Sequence, residues 1–137
     1  MKKIILLLFA LSLFAAIDWR TDFDEAYKEA QKANKPLFVF IERRYPPCHW
    51  CERMKHETLQ DANISSYINT HFIPVKLEKN RSSYPVELYP NYVPTIYIIQ
   101  GRDVIKSIVG FWNLQDFQSD LADVERYLQK ESNTSKE

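Results

Sequence analysis

Apolar residues recur with helical spacing near both ends of the chain. Near the start, the apolar side chains at positions i, i+3, i+4, i+7 and i+10 are Phe23, Ala26, Tyr27, Ala30 and Ala33. Near the end, the corresponding set is Leu114, Phe117, Leu121, Val124 and Leu128. A capping pattern at 21–24 predicts where the first helix begins, and we expect this helix to end near Asn34. Asn113 is placed to cap the last helix.

Short apolar runs between these two helices predict strands. They lie at residues 37–41, 73–77, 95–100 and 104–109. The first run follows Pro36 and is continuously apolar, which is typical of a strand covered on both faces. Gly101, Arg102 and Asp103 separate the last two runs and indicate a hairpin.

Two further helices are predicted between the first and second strands. Residues 48–59 lack Gly and Pro, and Asp61 can cap a following helix that extends through Tyr67 and Ile68. Residues 78–93 are polar and predict a long loop with at most one helical turn. The resulting order of elements predicts an α/β fold in which helices flank a central mixed β-sheet.

The start of the chain has the features of a secretory signal peptide. Two lysines precede an apolar stretch at 4–17, which is too short to span a bilayer comfortably. We expect cleavage after Ala16, although the bulky Phe14 departs from the preferred cleavage pattern. Because of this departure, an uncleaved N-terminal anchor is the first alternative, and a buried N-terminal element is the second. These features predict a signal peptide or anchor at 1–16, one domain at 17–129 and a polar tail at 130–137, in a periplasmic or secreted protein.

Composition and charge narrow the function classes. A chain of 137 residues can bury a core of its own as a single domain, and we expect it to be a monomer. Its 18 basic residues balance its 18 acidic residues, which argues against a partner held mainly by electrostatics, such as nucleic acid or an anionic membrane surface. Two cysteines are too few for a disulfide-stabilised scaffold.

The strongest chemical signal is a pair of cysteines, Cys48 and Cys51, that follows a predicted buried strand and begins a predicted helix. Their spacing places the sulfurs about one helical turn apart. Cys48 falls in the first turn, where free N–H groups and the helix dipole stabilise a thiolate, and Cys51 is the shielded resolving thiol. Between the cysteines, His49 either stabilises the thiolate by partial positive charge or faces solvent without a catalytic role. Trp50 either contacts substrate or packs against the rest of the protein.

Other uses of the cysteines are less well supported. A static disulfide remains an alternative, but a three-residue link adds little loop entropy. Zinc is disfavoured because one pair of cysteines gives two ligands and His56 lies about 12 Å along the helix from Cys48. Glu52 stands where covalent haem attachment requires histidine. We therefore expect no metal and no cofactor, and a structural role for His71.

Several motifs resemble the thioredoxin-like superfamily, over roughly residues 19–127. Trp19 is followed by a helix and then by Lys35-Pro36 and an apolar strand, as in its secreted or periplasmic branch. The run 48–54, with its Cys-His-Trp-Cys motif, is similar to the thioredoxin-like domain of the spermatogenesis-associated and DUF255 proteins. Val93-Pro94-Thr95 resembles the cis-proline motif of the superfamily, and Gly110 follows the last strand where glycine is frequent. The familiar Gly-Pro between the cysteines is replaced by His49-Trp50, so the redox direction cannot be copied from thioredoxin.

The resemblance implies roles for three more residues. Glu42 stands where thioredoxin has a buried acid that relays protons to the second thiol; the alternative is a partly exposed glutamate paired with Arg43, Arg44 or a lysine. Pro94 is expected to be cis and next to the disulfide, leaving the Val93 backbone free to pair with an extended substrate. The alternative is an ordinary trans proline in a loop.

The sequence therefore predicts a thiol–disulfide oxidoreductase that acts through Cys48 and Cys51 on protein thiols or disulfides, with a membrane redox partner as one candidate. We expect the reducing or exchange direction, because His49 is the single cation inside the motif and Glu42 and Glu52 flank it with negative charge. Two alternatives are a non-catalytic binding module with a dormant disulfide and a structural domain tethered by residues 4–17.

Overall fold

The computed structural model describes residues 16–136. The α-helices are α1 (Phe23–Ala33), α2 (His49–Arg53), α3 (Ala62–His71) and α4 (Leu114–Thr134). The strands are β1 (Leu37–Glu42), β2 (Ile73–Glu78), β3 (Thr95–Gln100) and β4 (Asp103–Val109). A π-helical segment, Met54–Thr58, continues α2, and a short 3-10 turn, Val86–Leu88, lies in the long loop before β3. The predicted elements are thus all present.

The four strands form one mixed sheet in the order β2-β1-β3-β4. The central strand β1 is parallel to β2 and antiparallel to β3, and β3 is antiparallel to β4. Upstream of α1, Arg20 forms a parallel bridge with Val75 that extends the edge of the sheet at β2. This arrangement confirms the predicted α/β class with a mixed central sheet and flanking helices.

The side chains of β1 alternate between two hydrophobic clusters. Phe38 and Phe40 belong to the cluster covered by the π-helical segment, α3 and α4. Leu37, Val39 and Ile41 belong to the cluster covered by α1 and the 3-10 turn. All six residues of β1 are buried, so the strand holds its carboxyl end, and the loop that leaves it, in a fixed position.

Two boundaries differ from the sequence prediction. The helix after residue 48 changes to π geometry at Met54, with the Leu59 N–H donating to the Met54 carbonyl at 2.9 Å. The last helix continues to Thr134, so most of the predicted polar tail at 130–137 is an exposed helical turn. Apolar spacing stops at Leu128, but helix propagation requires only residues that do not break it. The predicted signal peptide at 1–16 lies outside the described residues apart from Ala16.

Candidate active site

The two cysteines form a disulfide at the start of α2. Cys48 is the N-cap residue of the helix, and Cys51 lies within it, with 5.2 Å between their Cα atoms. Cys48 retains 6% of its surface exposed and Cys51 retains none. An incoming sulfur can therefore reach Cys48 more readily than Cys51, because Cys51 has no exposed surface.

Two backbone groups lie near the sulfur of Cys48. The backbone N–H of Cys51 donates to Cys48 Sγ at 3.2 Å, in the pattern of a helix N-cap. The Val93 carbonyl oxygen lies 3.8 Å from the same sulfur. A negative charge on Cys48 would be stabilised by the Cys51 N–H and by the N-terminal end of the helix.

The segment that carries Val93 is held by its neighbours. The Val93–Pro94 peptide bond is cis, the isomer expected from the sequence. The Pro94 carbonyl accepts a hydrogen bond from the Gly110 N–H at 2.8 Å, and Thr95 Oγ1 donates to the Tyr92 carbonyl at 2.7 Å. The loop before β3 therefore meets the cysteine pair with a fixed backbone, and Pro94 itself is buried.

Glu42 ends β1 as a buried carboxylate, with 3% of its side chain exposed. Lys55 Nζ lies 2.7 Å from Glu42 Oε2 and 2.8 Å from Glu52 Oε1. Glu52 Oε2 in turn lies 3.2 Å from His56 Nε2, which is exposed. These four residues form a chain of polar contacts from the interior to solvent.

The charge of Lys55 is favoured by this arrangement. Burial disfavours the ammonium form, but hydrogen bonds to Glu42 and Glu52 and the field of both carboxylates outweigh burial and raise the pKa of Lys55. The pKa of Glu52 is lowered, first by its hydrogen bond to Lys55 and further by His56, against a smaller opposing effect of desolvation. Lys55 is thus a cation at neutral pH between two carboxylates.

Glu42 does not pair with either neighbouring arginine. Arg43 Nε donates to the Pro46 carbonyl at 3.0 Å, and Arg44 lies 3.5 Å from Glu78 at the end of the adjacent strand. The alternative is therefore wrong in its exposed glutamate and in the pairing with Arg43 or Arg44, but the pairing with a lysine that it also named is present, and this lysine is Lys55.

His49 and Trp50 both lie on the surface between the cysteines. Their rings are 5.3 Å apart in an edge-on arrangement. The Arg53 guanidinium lies 5.2 Å from the Trp50 ring and 4.4 Å from the Phe111 ring, and Glu57 accepts two hydrogen bonds from it. Trp50 is therefore an exposed aromatic side chain with an ordered neighbour, between the two cysteines in the sequence.

The described residues give two results for other kinds of site. Between residues 16 and 136, no three His, Cys, Asp or Glu side chains are grouped so that they could bind a metal. In the same range, no helix is both long and apolar enough to cross a membrane. His71 lies on the surface with its ring 4.4 Å from that of Tyr67, away from the cysteines in the sequence.

Three features of the site are not anticipated by sequence reasoning. Lys55 is the main one, because the sequence prediction names only an unspecified lysine as one possible partner of Glu42. The signal that points to Lys55 is that a buried strand-end carboxylate needs a cation, and Lys55 is four residues after Cys51. The contact of Arg53 with both Trp50 and Phe111 is the second, and Phe111 is far from the other two residues in sequence. The cis peptide bond between Tyr45 and Pro46 is the third, and a tyrosine–proline step alone does not specify the isomer.

Sequence comparisons identify similar proteins. The thioredoxin family model of DsbH type, described as "Protein of unknown function, DUF255", matches residues 10–117. Spermatogenesis-associated protein 20 of Homo sapiens is 31% identical over 77 residues, which is 56% of this chain and 10% of that protein. The uncharacterized protein B0495.5 of Caenorhabditis elegans is 30% identical over the same extent. The chain thus spans about a tenth of the length of the curated relatives that it matches.

Solved structures share the fold at low sequence identity. A DsbH oxidoreductase has a TM-score of 0.62 and 16% identity, over 84% of this chain and 86% of that one. A thioredoxin from Thermus thermophilus has a TM-score of 0.67 and 18% identity, over 80% of this chain and 88% of that one. These similarities confirm a thioredoxin-like fold.

Proposed function

This chain belongs to the DUF255 family of thioredoxin-like proteins, and from its cysteine site we propose that it is a thiol–disulfide oxidoreductase acting on protein cysteines. The observation that supports the proposal is the unequal exposure of the bonded pair, 6% for Cys48 and 0% for Cys51, at the start of a helix. A purely structural disulfide has no need for one partly exposed cysteine whose sulfur accepts from an N–H donor, whereas an exchange reaction needs both features.

The proposed reaction begins with the reduced pair. The Cys48 thiolate attacks one sulfur of a substrate disulfide, a new S–S bond forms, and the other substrate sulfur leaves as a thiolate that takes up a proton. Cys51 then loses its proton and attacks Cys48, which releases the second substrate sulfur. Two electrons and two protons pass to the substrate, and the Cys48–Cys51 disulfide is formed.

Glu42 and Lys55 are proposed to serve the second step. Cys51 is buried, so its proton needs a nearby acceptor before the thiolate can attack. Glu42 is a buried carboxylate at the end of β1, and Lys55 connects it to Glu52 and His56 on the surface. In this proposal, Glu42 accepts the Cys51 proton and later releases it to solvent, while Lys55 stays charged and holds the Glu42 carboxyl group in position.

The direction, partners and location are further parts of the proposal. The charges in contact with the helix are mixed, since Lys55 lies between Glu42 and Glu52, and Arg53 is paired with Glu57. Because the charges that contact this helix are not mainly positive, the thiolate is stabilised moderately, which favours a reductase or exchange protein over a strong oxidant. We propose protein thiols and disulfides as substrates, a membrane reductant as the electron source, and a periplasmic or secreted location. His49 is proposed to tune the thiolate, and the Val93 backbone to pair with substrate.

Catalysis of disulfide reduction tests the proposal. We expect the full chain to accelerate the reduction of insulin by dithiothreitol, measured as the onset of turbidity from the released chains, because a two-cysteine cycle turns over repeatedly. The control is the double variant Cys48→Ser/Cys51→Ser, which should match the uncatalysed rate. If the natural chain also matches the uncatalysed rate, the oxidoreductase proposal is wrong and the non-catalytic binding module takes its place.

A further inference from the structure

Two loops at the carboxyl ends of β1 and β2 form a basic surface with exposed aromatic rings. We call it the Arg44–Arg81 surface, and its members are Arg43, Arg44, Tyr45, Lys79, Arg81 and Tyr89. The two loops start side by side because β1 and β2 are parallel, with Glu42 opposite Glu78 and the Lys79 N–H donating to the Glu42 carbonyl at 2.8 Å. They therefore form one continuous surface.

The cations on this surface exceed the carboxylates. Arg44 Nη1 lies 3.5 Å from Glu78 Oε1, and Arg81 Nε lies 3.8 Å from Glu78 Oε2, so two arginines share one acid at long distances. Their side chains are 58% and 64% exposed. The loop sequences 43–47 and 79–84 contain no Asp or Glu. Each guanidinium thus keeps donors free for another carboxylate.

Aromatic rings stack with the same cations. The Arg81 guanidinium lies 4.6 Å from the centre of the exposed Tyr45 ring, and Lys79 Nζ lies 5.1 Å from that of the half-exposed Tyr89. These contacts hold the long side chains in place before any partner binds, which lowers the entropy cost of binding. Exposed tyrosine and arginine together are the composition of protein-binding hot spots.

The surface adjoins the cysteine pair. Tyr45 is three residues before Cys48, and one of the intervening peptide bonds is cis, so their Cα atoms are at most about 11 Å apart. The loop between them is ordered by the hydrogen bond from Arg43 Nε to the Pro46 carbonyl. When the disulfide of a polypeptide substrate lies at Cys48, residues a few positions from the reacting cysteine of that substrate would lie over Tyr45 and Arg81.

Resting on the proposed function, we propose that the Arg44–Arg81 surface binds acidic residues that flank the target cysteine of a polypeptide substrate. The charge of the surface is complementary to Asp and Glu, and arginine recognises carboxylates through paired N–H donors. A polypeptide is favoured over nucleic acid because the patch holds only four cations on a chain of no net charge.

Three peptides with the same internal disulfide provide the test. They differ only in the residues that flank one cysteine: three Glu, three Ser or three Lys. Reduced full-length protein is mixed with each peptide, and formation of the peptide dithiol is followed by chromatography. We expect the Glu peptide to react about 10-fold faster than the Ser peptide at low ionic strength, and the Lys peptide to react more slowly than either. In about 1 M salt the three rates should agree within about two-fold.

Charge reversal locates the effect. Arg44→Glu/Arg81→Glu should remove the advantage of the Glu peptide, whereas Arg102→Glu/Arg126→Glu, which changes the net charge equally at exposed positions elsewhere, should retain it. If the first variant loses its far-UV circular dichroism signal, Arg44→Gln/Arg81→Gln replaces it with the same expectation.

Four results would overturn the proposal. The first two are equal rates for the three peptides and an advantage of the Glu peptide that persists in the double variant of Arg44 and Arg81. The other two are an equal loss of that advantage in the Arg102→Glu/Arg126→Glu control, and tighter binding of duplex DNA or phosphatidylserine vesicles than of the Glu peptide. The neutral reagent hydroxyethyl disulfide separates this inference from the proposed function. It should be reduced equally by all variants; if the natural chain does not reduce it, the oxidoreductase proposal itself fails.

Discussion

Replacing Cys51 with serine should trap covalent complexes between Cys48 and protein substrates. Cys48 retains access to solvent and the Cys51 backbone N–H in this variant, so it can still attack a disulfide. The buried thiol that would release the substrate is gone, so the mixed disulfide persists. We expect bands of higher mass in non-reducing gels that disappear when reductant is added.

The matched variant is Cys48→Ser, which keeps Cys51 as the single thiol. Because Cys51 is fully buried, this variant should form no such complexes and should lose catalysis of insulin reduction, by at least about 10³-fold if Cys48 is the nucleophile. Equal trapping by both variants, or trapping by Cys48→Ser alone, would show that the assignment of nucleophile and resolving thiol is reversed or wrong.

Replacing Lys55 with methionine should strongly lower the stability of the folded protein. The substitution leaves Glu42, with 3% of its side chain exposed, as a buried carboxylate without its cation. Breaking a buried ion pair from one side costs about 3–5 kcal/mol. We expect a loss of that size in the free energy of unfolding of the oxidised protein at pH 7, measured by denaturant titration.

Two comparisons separate the ion pair from packing. Glu42→Met/Lys55→Met should recover most of the lost stability, because a neutral pair of similar volume buries no charge. Lys28→Met, at an exposed position on α1, should change stability by no more than about 0.5 kcal/mol. If the double variant is as unstable as Lys55→Met, the loss comes from packing and the ion pair contributes little.

The pH dependence of the ion pair has a definite sign. The pKa of Lys55 is raised in the folded protein, so its contribution is fully present below the unfolded lysine value of about 10.4 and is lost as the pH rises through the higher folded value. Stability curves of the natural chain and of Lys55→Met should therefore converge above about pH 10.4, because neither protein then has a cation beside Glu42.

The sequence was sufficient to predict the elements that form the site. The continuous apolar run at 37–41 predicted a doubly covered strand, and β1 is buried along its whole length. The cysteine spacing after that strand predicted the helix start, and Cys48 is its N-cap. These predictions rest on local periodicity and capping, which short stretches of sequence determine.

Other features depend on contacts between distant residues or on backbone geometry that the sequence pattern does not specify. The pairing of Glu42 with Lys55 depends on how the helix packs against the end of β1. The π geometry at 54–58 adds one residue to a helical turn, and no residue type in the segment indicates it. The Arg44–Arg81 surface exists only because β1 and β2 are neighbours in parallel register. The net charge of the chain does not indicate this basic surface, because the excess of cations in the two loops is offset by carboxylates elsewhere in the chain.

The reduction potential of the Cys48–Cys51 pair tests the central claim most directly. It is measured by equilibrating the full chain with glutathione buffers of known ratio and counting free thiols by mass spectrometry after alkylation. A reductase or exchange protein should have a potential between about −270 and −180 mV, the range from thioredoxin to protein disulfide isomerase. A potential below about −300 mV, typical of structural disulfides, would contradict the claim that this pair exchanges with substrates.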